Sequence, residues 1–350
     1  MFAKPTCIAR ADSFGKIGNI DFRRRIIPEQ NPAGNSKAWN CNPLLKVHQQ
    51  PTLHASDSRM RVPDPAIWLY RQMTSRDRRH LLAQLRAECR LPVAILFYHR
   101  VAKTGCDNPW SIHLDNFKRQ LDWLQSNFEM VSLADAQTRI RGPHNDRISV
   151  SITFDDGYAD NSEFAIPELV SRKIPLTYFV STDFVETGRS FPHDIELGTP
   201  LPPNDIPQLQ EFVRLGIEIG SHTRSHANIA AVSRADQLRQ EIEGSILSIN
   251  QWLGIQCRYF AFPYGLPKNM SQAAFDMLSE LQMEGFCSGY GALNWPGNDG
   301  FHLRRFHADP GFERLKNWLT LDSRKLVDST PLPFCETKIS YPLALSRSID

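Results

Sequence analysis

Short runs rich in apolar residues, too short for anything but strands, recur between stretches of helical period, and this alternation restricts the chain more than any other feature. The first run, Val93-Ala-Ile-Leu-Phe-Tyr98, has no polar residue to offer solvent until its last position. It therefore reads as a strand buried on both faces. Further strands are expected over residues 148–154, 176–180, 216–220 and 258–262. Helices are expected between them, at Leu114, Phe117, Leu121 and Leu124, over residues 164–172 and over residues 235–253. Strands separated by helices build βα units and a mostly parallel sheet, open or closed into a barrel. In such folds the reactive side chains collect at the carboxyl ends of the strands.

The alternation starts only after residue 92. Residues 1–62 mix Pro, Asn, Ser and Arg without a sustained period, so a disordered N-terminal extension is expected there. Residues 63–92 read as a basic N-terminal helix. In it Leu81, Leu82 and Leu85 share one side, among Arg76, Arg78, Arg79, His80, Arg86 and Arg90. A solvated basic face packed on the domain is the expected role, with peripheral contact with a membrane as the alternative. Residues 93–321 form the main domain, and residues 322–350, with Pro331, Pro333 and Pro342, a C-terminal tail.

Charge and cysteine usage exclude several classes. Residues 1–92 carry 16 Lys/Arg against 7 Asp/Glu, whereas residues 93–350 carry 24 against 31. A main body with a net charge of −7 and no basic run is a poor nucleic-acid binder, so no nucleic-acid partner is expected. The seven cysteines are odd in number and show no CxxC spacing, which favours reduced thiols over a disulfide framework. No stretch reaches the ~18 apolar residues of a membrane span, and residues 1–7 show no apolar signal core. A cytoplasmic location is the expectation.

Three strand ends concentrate chemistry. Thr153-Phe-Asp155-Asp156-Gly157 puts adjacent carboxylates where the backbone turns, and their divergent directions allow one to bind a cation while the other moves a proton. Glu218-Ile-Gly-Ser-His222-Thr-Arg-Ser-His226 spaces two imidazoles four residues apart, which suits one face of a helical turn. Phe260-Ala-Phe-Pro263-Tyr264-Gly265 ends a strand in a Pro-Tyr-Gly turn. Two His and one Asp suit a divalent metal, Zn first, with Co, Ni or Fe as alternatives, and leave a position open for water.

Together with Phe97-Tyr-His-Arg-Val101, these blocks resemble the polysaccharide deacetylases of carbohydrate esterase family 4, the nodulation-type chitooligosaccharide deacetylase homology, over residues 93–321. The resemblance implies a distorted, incomplete (β/α) barrel and hydrolysis of N-acetyl, or O-acetyl, groups of an acetylated glycan. It further implies Asp155 as catalytic base, Asp156, His222 and His226 as metal ligands, and the backbone N–H of Tyr264 as oxyanion donor. His302, His307 and His99 are the candidates for the acid that protonates the leaving group. Ala261 stands where the family often carries an arginine that orients the base, and Arg304 or Arg305 could bring that charge from another strand. The family's late Asp-containing block is replaced by Cys287-Ser-Gly-Tyr-Gly-Ala-Leu-Asn294, which points to exopolysaccharide pathways. Trp110, Tyr264, Tyr290 and Trp295 are the aromatics expected along a glycan groove. The alternatives are a catalytically silent carbohydrate-binding relative and an amidohydrolase acting on a small non-sugar amide.

Overall fold

The structure, a computed structural model, describes residues 64–104, 110–308 and 311–327 together with Leu345. The expected disorder over residues 1–62 lies outside the described residues. Seven parallel strands form the barrel: β1 (Val93–Tyr98), β2 (Ser149–Phe154), β3 (Leu176–Val180), β4 (Glu218–Ser221), β5 (Tyr259–Ala261), β6 (Gly285–Ser288) and β7 (His302–His307). The pairing runs in sequence order from β1 to β7, and β7 returns to β1 through Ile95↔Arg305, Leu96↔Phe306 and Phe97↔His307. The β1–β2 seam is the longest, with six residue pairs from Val93↔Ser149 to Tyr98↔Phe154. The β4–β5 seam is held by Ser221↔Phe260 alone. The ring is thus incomplete in strand number and distorted at one seam, yet hydrogen-bonded all the way round.

Alternation along β2 shows how the sequence fills this barrel. Val150, Ile152 and Phe154 join the main apolar core, while Ser149, Ser151 and Thr153 share the other face with Val93, Ile95 and Phe97 of β1 through the parallel register. Small inward residues leave room for large ones elsewhere. Gly220 on β4 is such a case, because a Cβ there would lie 2.4 Å from the Phe179 ring. The helix Leu133–Arg141 packs at the strand starts, where the buried Gln137 amide donates to the carbonyls of Glu284 (2.7 Å) and Gly300 (2.8 Å). Those carbonyls lie one and two residues ahead of β6 and β7, so this helix closes the amino end of the barrel. Chemistry is left to the carboxyl end.

The N-terminal region contains two helices, α1 (Asp64–Met73) and α2 (Ser75–Ala87). The apolar side of α2 faces inward, with Leu85 fully buried and Leu81 and Leu82 packed against the core. Arg78 is buried as well. Its guanidinium donates to the Asn317 carbonyl (2.8 Å) and side chain (2.7 Å) and to the Thr320 carbonyl (3.1 Å), tying α2 to the helix Phe312–Leu319. Leu81, Leu82 and Leu85 therefore serve the domain core and offer nothing to a membrane.

At the other end, packing runs beyond Leu321. Asp322 is fully buried, the Trp295 indole donates to the Leu326 carbonyl (2.7 Å), and Leu345 is buried in the main core. Asp322, Leu326 and Leu345 therefore belong to the packed body.

Candidate active site

The strand β2 ends in two consecutive left-handed residues, Asp156 at φ 73° and Gly157 at φ 84°. For a non-glycine residue this conformation costs on the order of 1–3 kcal/mol, and it turns the two carboxylates apart. Asp155 points into the barrel and meets Arg305 of β7 in a two-pronged ion pair, Nη1–Oδ1 2.7 Å and Nη2–Oδ2 2.8 Å. Arg305 is fixed further. Its guanidinium donates to Thr153 Oγ1 (2.9 Å) and the Ser288 carbonyl (3.2 Å), and it lies over the Phe97 ring at 4.7 Å. Burial opposes ionisation of Asp155, but the Arg305 charge and hydrogen bonds, joined by His222 and His99, together outweigh it and hold the carboxyl below its usual value. The residue absent at Ala261 is thus supplied from β7, while Ala261 and Cys287 remain as small inward side chains on β5 and β6.

Asp156 turns the other way, towards His222 and His226. Its Oδ1 lies 3.4 Å from His222 Nε2 and 3.2 Å from His226 Nε2. The opposite ring nitrogen of His222, Nδ1, is 2.8 Å from the Ala261 carbonyl. A carbonyl can only accept, so Nδ1 carries a proton, and in the neutral tautomer the Nε2 lone pair faces a carboxylate oxygen. Asp156 Oδ1 is itself buried with no hydrogen-bond partner. Two electron-pair donors facing one another across a buried gap are stable only with a cation or a proton between them. The three ligand atoms converge within 4.8 Å, and one Asp with two His is a donor set that fits a divalent metal of the zinc type. Burial opposes ionisation of Asp156, but with the imidazoles protonated and no cation between them, their charge and hydrogen bonds hold its carboxyl well below the usual range.

The spacing of the two imidazoles works by a different local structure from the helical turn expected. His222 extends the β4 ladder by one bond, its N–H donating to the Val180 carbonyl (2.9 Å). The chain then loops through left-handed Thr223 (φ 64°) and His226 (φ 57°). Glu241 clamps this loop, accepting from the backbone of Arg224 (3.1 Å) and Ser225 (2.9 Å) and from the Ser225 hydroxyl (2.6 Å). It sits in a π-helical turn, Gln240–Gly244, interrupting the long helix read over residues 235–253. Sequence reading missed Glu241, since an exposed-looking glutamate in a helix carries no signal of a loop 16 residues away. It likewise missed the wall beside His226, made by Phe191 (5.7 Å between rings) and His193 (5.9 Å). There the Tyr158 hydroxyl donates to the buried Asp194 (2.7 Å) and contacts His193 Nε2 (3.0 Å).

Tyr264 ends the third motif at φ 64°, 41% exposed, with its ring 5.2 Å from His226. Gly265 follows at φ 63°, and a Cβ on it would stand 2.4 Å from the Gly289 nitrogen. We expect Gly265→Ala to cost about 2–4 kcal/mol, combining a disfavoured left-handed φ with a clash against backbone that cannot yield. Urea denaturation should show it as a lower midpoint at unchanged slope.

The three candidate acids separate by strand parity. His307 faces the inside with Arg305 and stacks on Phe97 (5.0 Å), edge-on to His99 (5.2 Å); Trp110 lies 4.9 Å from His99 and 5.7 Å from His307. His302 faces the helix layer instead. It stacks on Phe286 (4.8 Å) and its Nε2 pairs with Ser288 Oγ (2.7 Å). Burial pushes its pKa well below the usual value, and the nearby Arg304 charge adds to this. His302 is a packing histidine, because five residues of strand put it on the opposite face from His307. Two of the expected groove aromatics are displaced in the same way. Trp295 is buried in the core and Tyr290 packs edge-on to His302, leaving Trp110 and Tyr264 at the rim.

Comparisons with known proteins agree with this geometry. A family model described as polysaccharide deacetylase matches residues 142–286, a span that includes Asp155, Asp156, His222, His226 and Tyr264 and stops before β7. A putative polysaccharide deacetylase, YxkH of Bacillus subtilis, is 26% identical over 187 residues, covering 52% of this chain and 60% of that protein. A poly-beta-1,6-N-acetyl-D-glucosamine N-deacetylase of Staphylococcus aureus is 25% identical over 250 residues, 64% of this chain and 81% of the relative. The solved structure of IcaB from Ammonifex degensii superposes with a TM-score of 0.57 at 25% identity, covering 65% of this chain and 97% of that one. Barrel, motifs and matches converge on one likeness: residues 142–286 match the polysaccharide deacetylase family model, and the relatives and solved structure named above are similar to the chain.

Proposed function

We propose that this protein hydrolyses N-acetyl groups of a polysaccharide or glycan precursor, with O-acetyl groups as the alternative, and that Asp156, His222 and His226 hold a divalent metal, zinc first. The observation that carries the reading is the pair of facing lone-pair donors at Asp156 Oδ1 and His222 Nε2, set beside a carboxylate, Asp155, kept ionised by Arg305. A divalent cation there, when bound, supplies a lowered pKa for water and a Lewis-acid contact for the acyl oxygen. Asp155 accepts the proton of the attacking water. Arg305 aims that carboxylate and keeps it charged. The backbone N–H of Tyr264, in its left-handed turn, donates to the oxygen that gains charge, a contribution of roughly 3–4 kcal/mol for one such donor. The imidazole pair His99 and His307 provides the acid for the departing amine.

Likeness to the Staphylococcus aureus relative makes a polymer of N-acetylglucosamine the proposed substrate class, with Trp110 and Tyr264 at the rim to stack on sugar rings. The test is acetate release from acetylated glucosamine oligomers of β-1,6 and β-1,4 linkage, with and without added divalent metal. No release from either series under any metal would overturn the proposal and favour a silent carbohydrate-binding protein. Release from a simple aryl acetamide but not from the oligomers would favour an amidohydrolase of small amides.

For the acid, His307→Ala and His99→Ala are each measured across pH. Removal of the donor should lower kcat on the order of 100-fold and flatten the basic limb of the profile. Unchanged kcat in both variants would move the role elsewhere. We further propose a cytoplasmic location. The seven cysteines are odd in number without CxxC spacing, and among the described residues Cys89, Cys257 and Cys287 are unbridged, a usage that suits a reducing compartment. Recovery in the medium or periplasm without lysis markers would refute that location.

A further inference from the structure

The helices α1 and α2 run on almost without a break. The Thr74 N–H donates to the Tyr70 carbonyl (3.0 Å) and the Arg78 N–H to the Thr74 carbonyl (3.1 Å), so helical spacing passes through the junction. The inward face of this unit is committed: Ile67, Arg78 and Leu85 are buried, and Arg71 is paired with Glu313 at 2.7 Å. The outward face is unusual. Trp68, Leu69 and Met73 are 49%, 53% and 75% exposed, and on the following turns Arg76, Arg79 and Arg86 are exposed too. At ~100° per residue all six fall within roughly 140° of the circumference. One face therefore carries large apolar side chains at its start and cations along the rest. Between Ser75 and Ala87 the single acid, Asp77, sits on its flank.

We propose that this face docks on an anionic lipid surface, with Trp68, Leu69 and Met73 inserted at the headgroup level and Arg76, Arg79 and Arg86 against the lipid charges. Charge is what selects this occupant. Three outward arginines beside an apolar cluster repel a second copy of the same face, whereas an anionic bilayer satisfies both halves at once. The contact thereby falls on the apolar side chains of α1 and the outward arginines of α2, and the leucines of α2 keep their role in the core. The inference stands apart from the proposed reaction, since no residue in it touches the Asp155–Asp156 site.

The test is co-sedimentation of the full chain with phosphatidylcholine vesicles, with and without about one third phosphatidylserine. Binding is expected only with the anionic lipid, and it should weaken with added salt. The triple variant Trp68→Ser, Leu69→Ser, Met73→Ser should lose binding by tenfold or more, and Arg76→Glu or Arg79→Glu should each lose about fivefold or more, all with unchanged circular dichroism and catalytic activity. Wild-type protein that ignores anionic vesicles would overturn the proposal. So would a triple variant that binds them as well as wild type, which would reduce the effect to surface charge. A concentration-dependent dimer that the triple variant abolishes, without lipid binding, would assign the face to a second copy instead.

Discussion

Replacing His222 by alanine is expected to remove metal retention and turnover together, the activity loss being on the order of 1,000-fold or more. The reason is geometric. His222 is fixed from both ends, by its backbone bond to Val180 and by Nδ1 donating to the Ala261 carbonyl, so its Nε2 is presented with no search of rotamers. Alanine leaves Asp156 Oδ1 with one imidazole neighbour in a buried pocket. Elemental analysis of the purified variant should show metal content falling well below one equivalent while the melting temperature of the barrel is kept. A variant that retained a full equivalent of metal would remove the assignment of this pocket. Full metal loss with unchanged acetate release would separate metal from catalysis.

The second large effect is expected at the Asp155–Arg305 pair. Asp155→Asn should lower kcat on the order of 100–10,000-fold with metal still bound, as loss of a proton acceptor does. Arg305→Met acts on the same carboxylate indirectly. It leaves a buried charge without its partner, which costs about 3–5 kcal/mol, and it raises the pKa of Asp155, since burial then acts with the opposing cation gone. The direction of the pH effect follows. In the wild type the carboxyl is held below its usual value, so its stabilising contribution is present above the unfolded pKa of ~3.9 and is lost as pH falls through the folded one. Without Arg305 the ionised form appears only at higher pH, and the acidic limb of the pH–rate profile should move upward. A profile that stays in place would mean that Arg305 only braces the strands. Arg305→Lys should restore part of the charge but not the two-pronged geometry, so it is expected to recover the limb position more than kcat.

Much of the barrel was legible from local pattern. β1, β2 and β3 are near-continuous apolar or small-residue runs, and such runs have one home, between two covered faces. β7 was not legible, because His-Leu-Arg-Arg-Phe-His has neither an apolar run nor a clean polar face. Its Arg305 is neutralised by Asp155, 150 residues earlier in the chain, and no window of sequence contains both. Once that segment is a strand, the choice between His302 and His307 resolves by parity alone. The four-residue spacing of His222 and His226 suggested a helical turn because helices bring i and i+4 together. Here two left-handed residues and the Glu241 clamp achieve the same convergence in a loop. Tyr290 and Trp295 show the converse, aromatics whose burial follows from packing against β7 and the end of the domain rather than from anything in their own neighbourhood.

The sequence by itself determined the short apolar strands, the paired carboxylates, the two imidazoles, the Pro-Tyr-Gly turn, and hence a metal-suited donor set on strand ends. Those features are local, set by the chemistry of a few adjacent residues and by backbone periodicity. Tertiary structure alone decided that Asp155 faces Arg305 and Asp156 faces the imidazoles, that His307 rather than His302 joins His99 near the site, and that α1 rather than α2 exposes its apolar side chains. Each of these depends on which face of an element turns inward once the ring has closed. Closure is set by pairing between strands far apart in the chain, such as Phe97 in register with both Thr153 and His307, and a one-residue change of register would reverse the assignments that rest on strand faces.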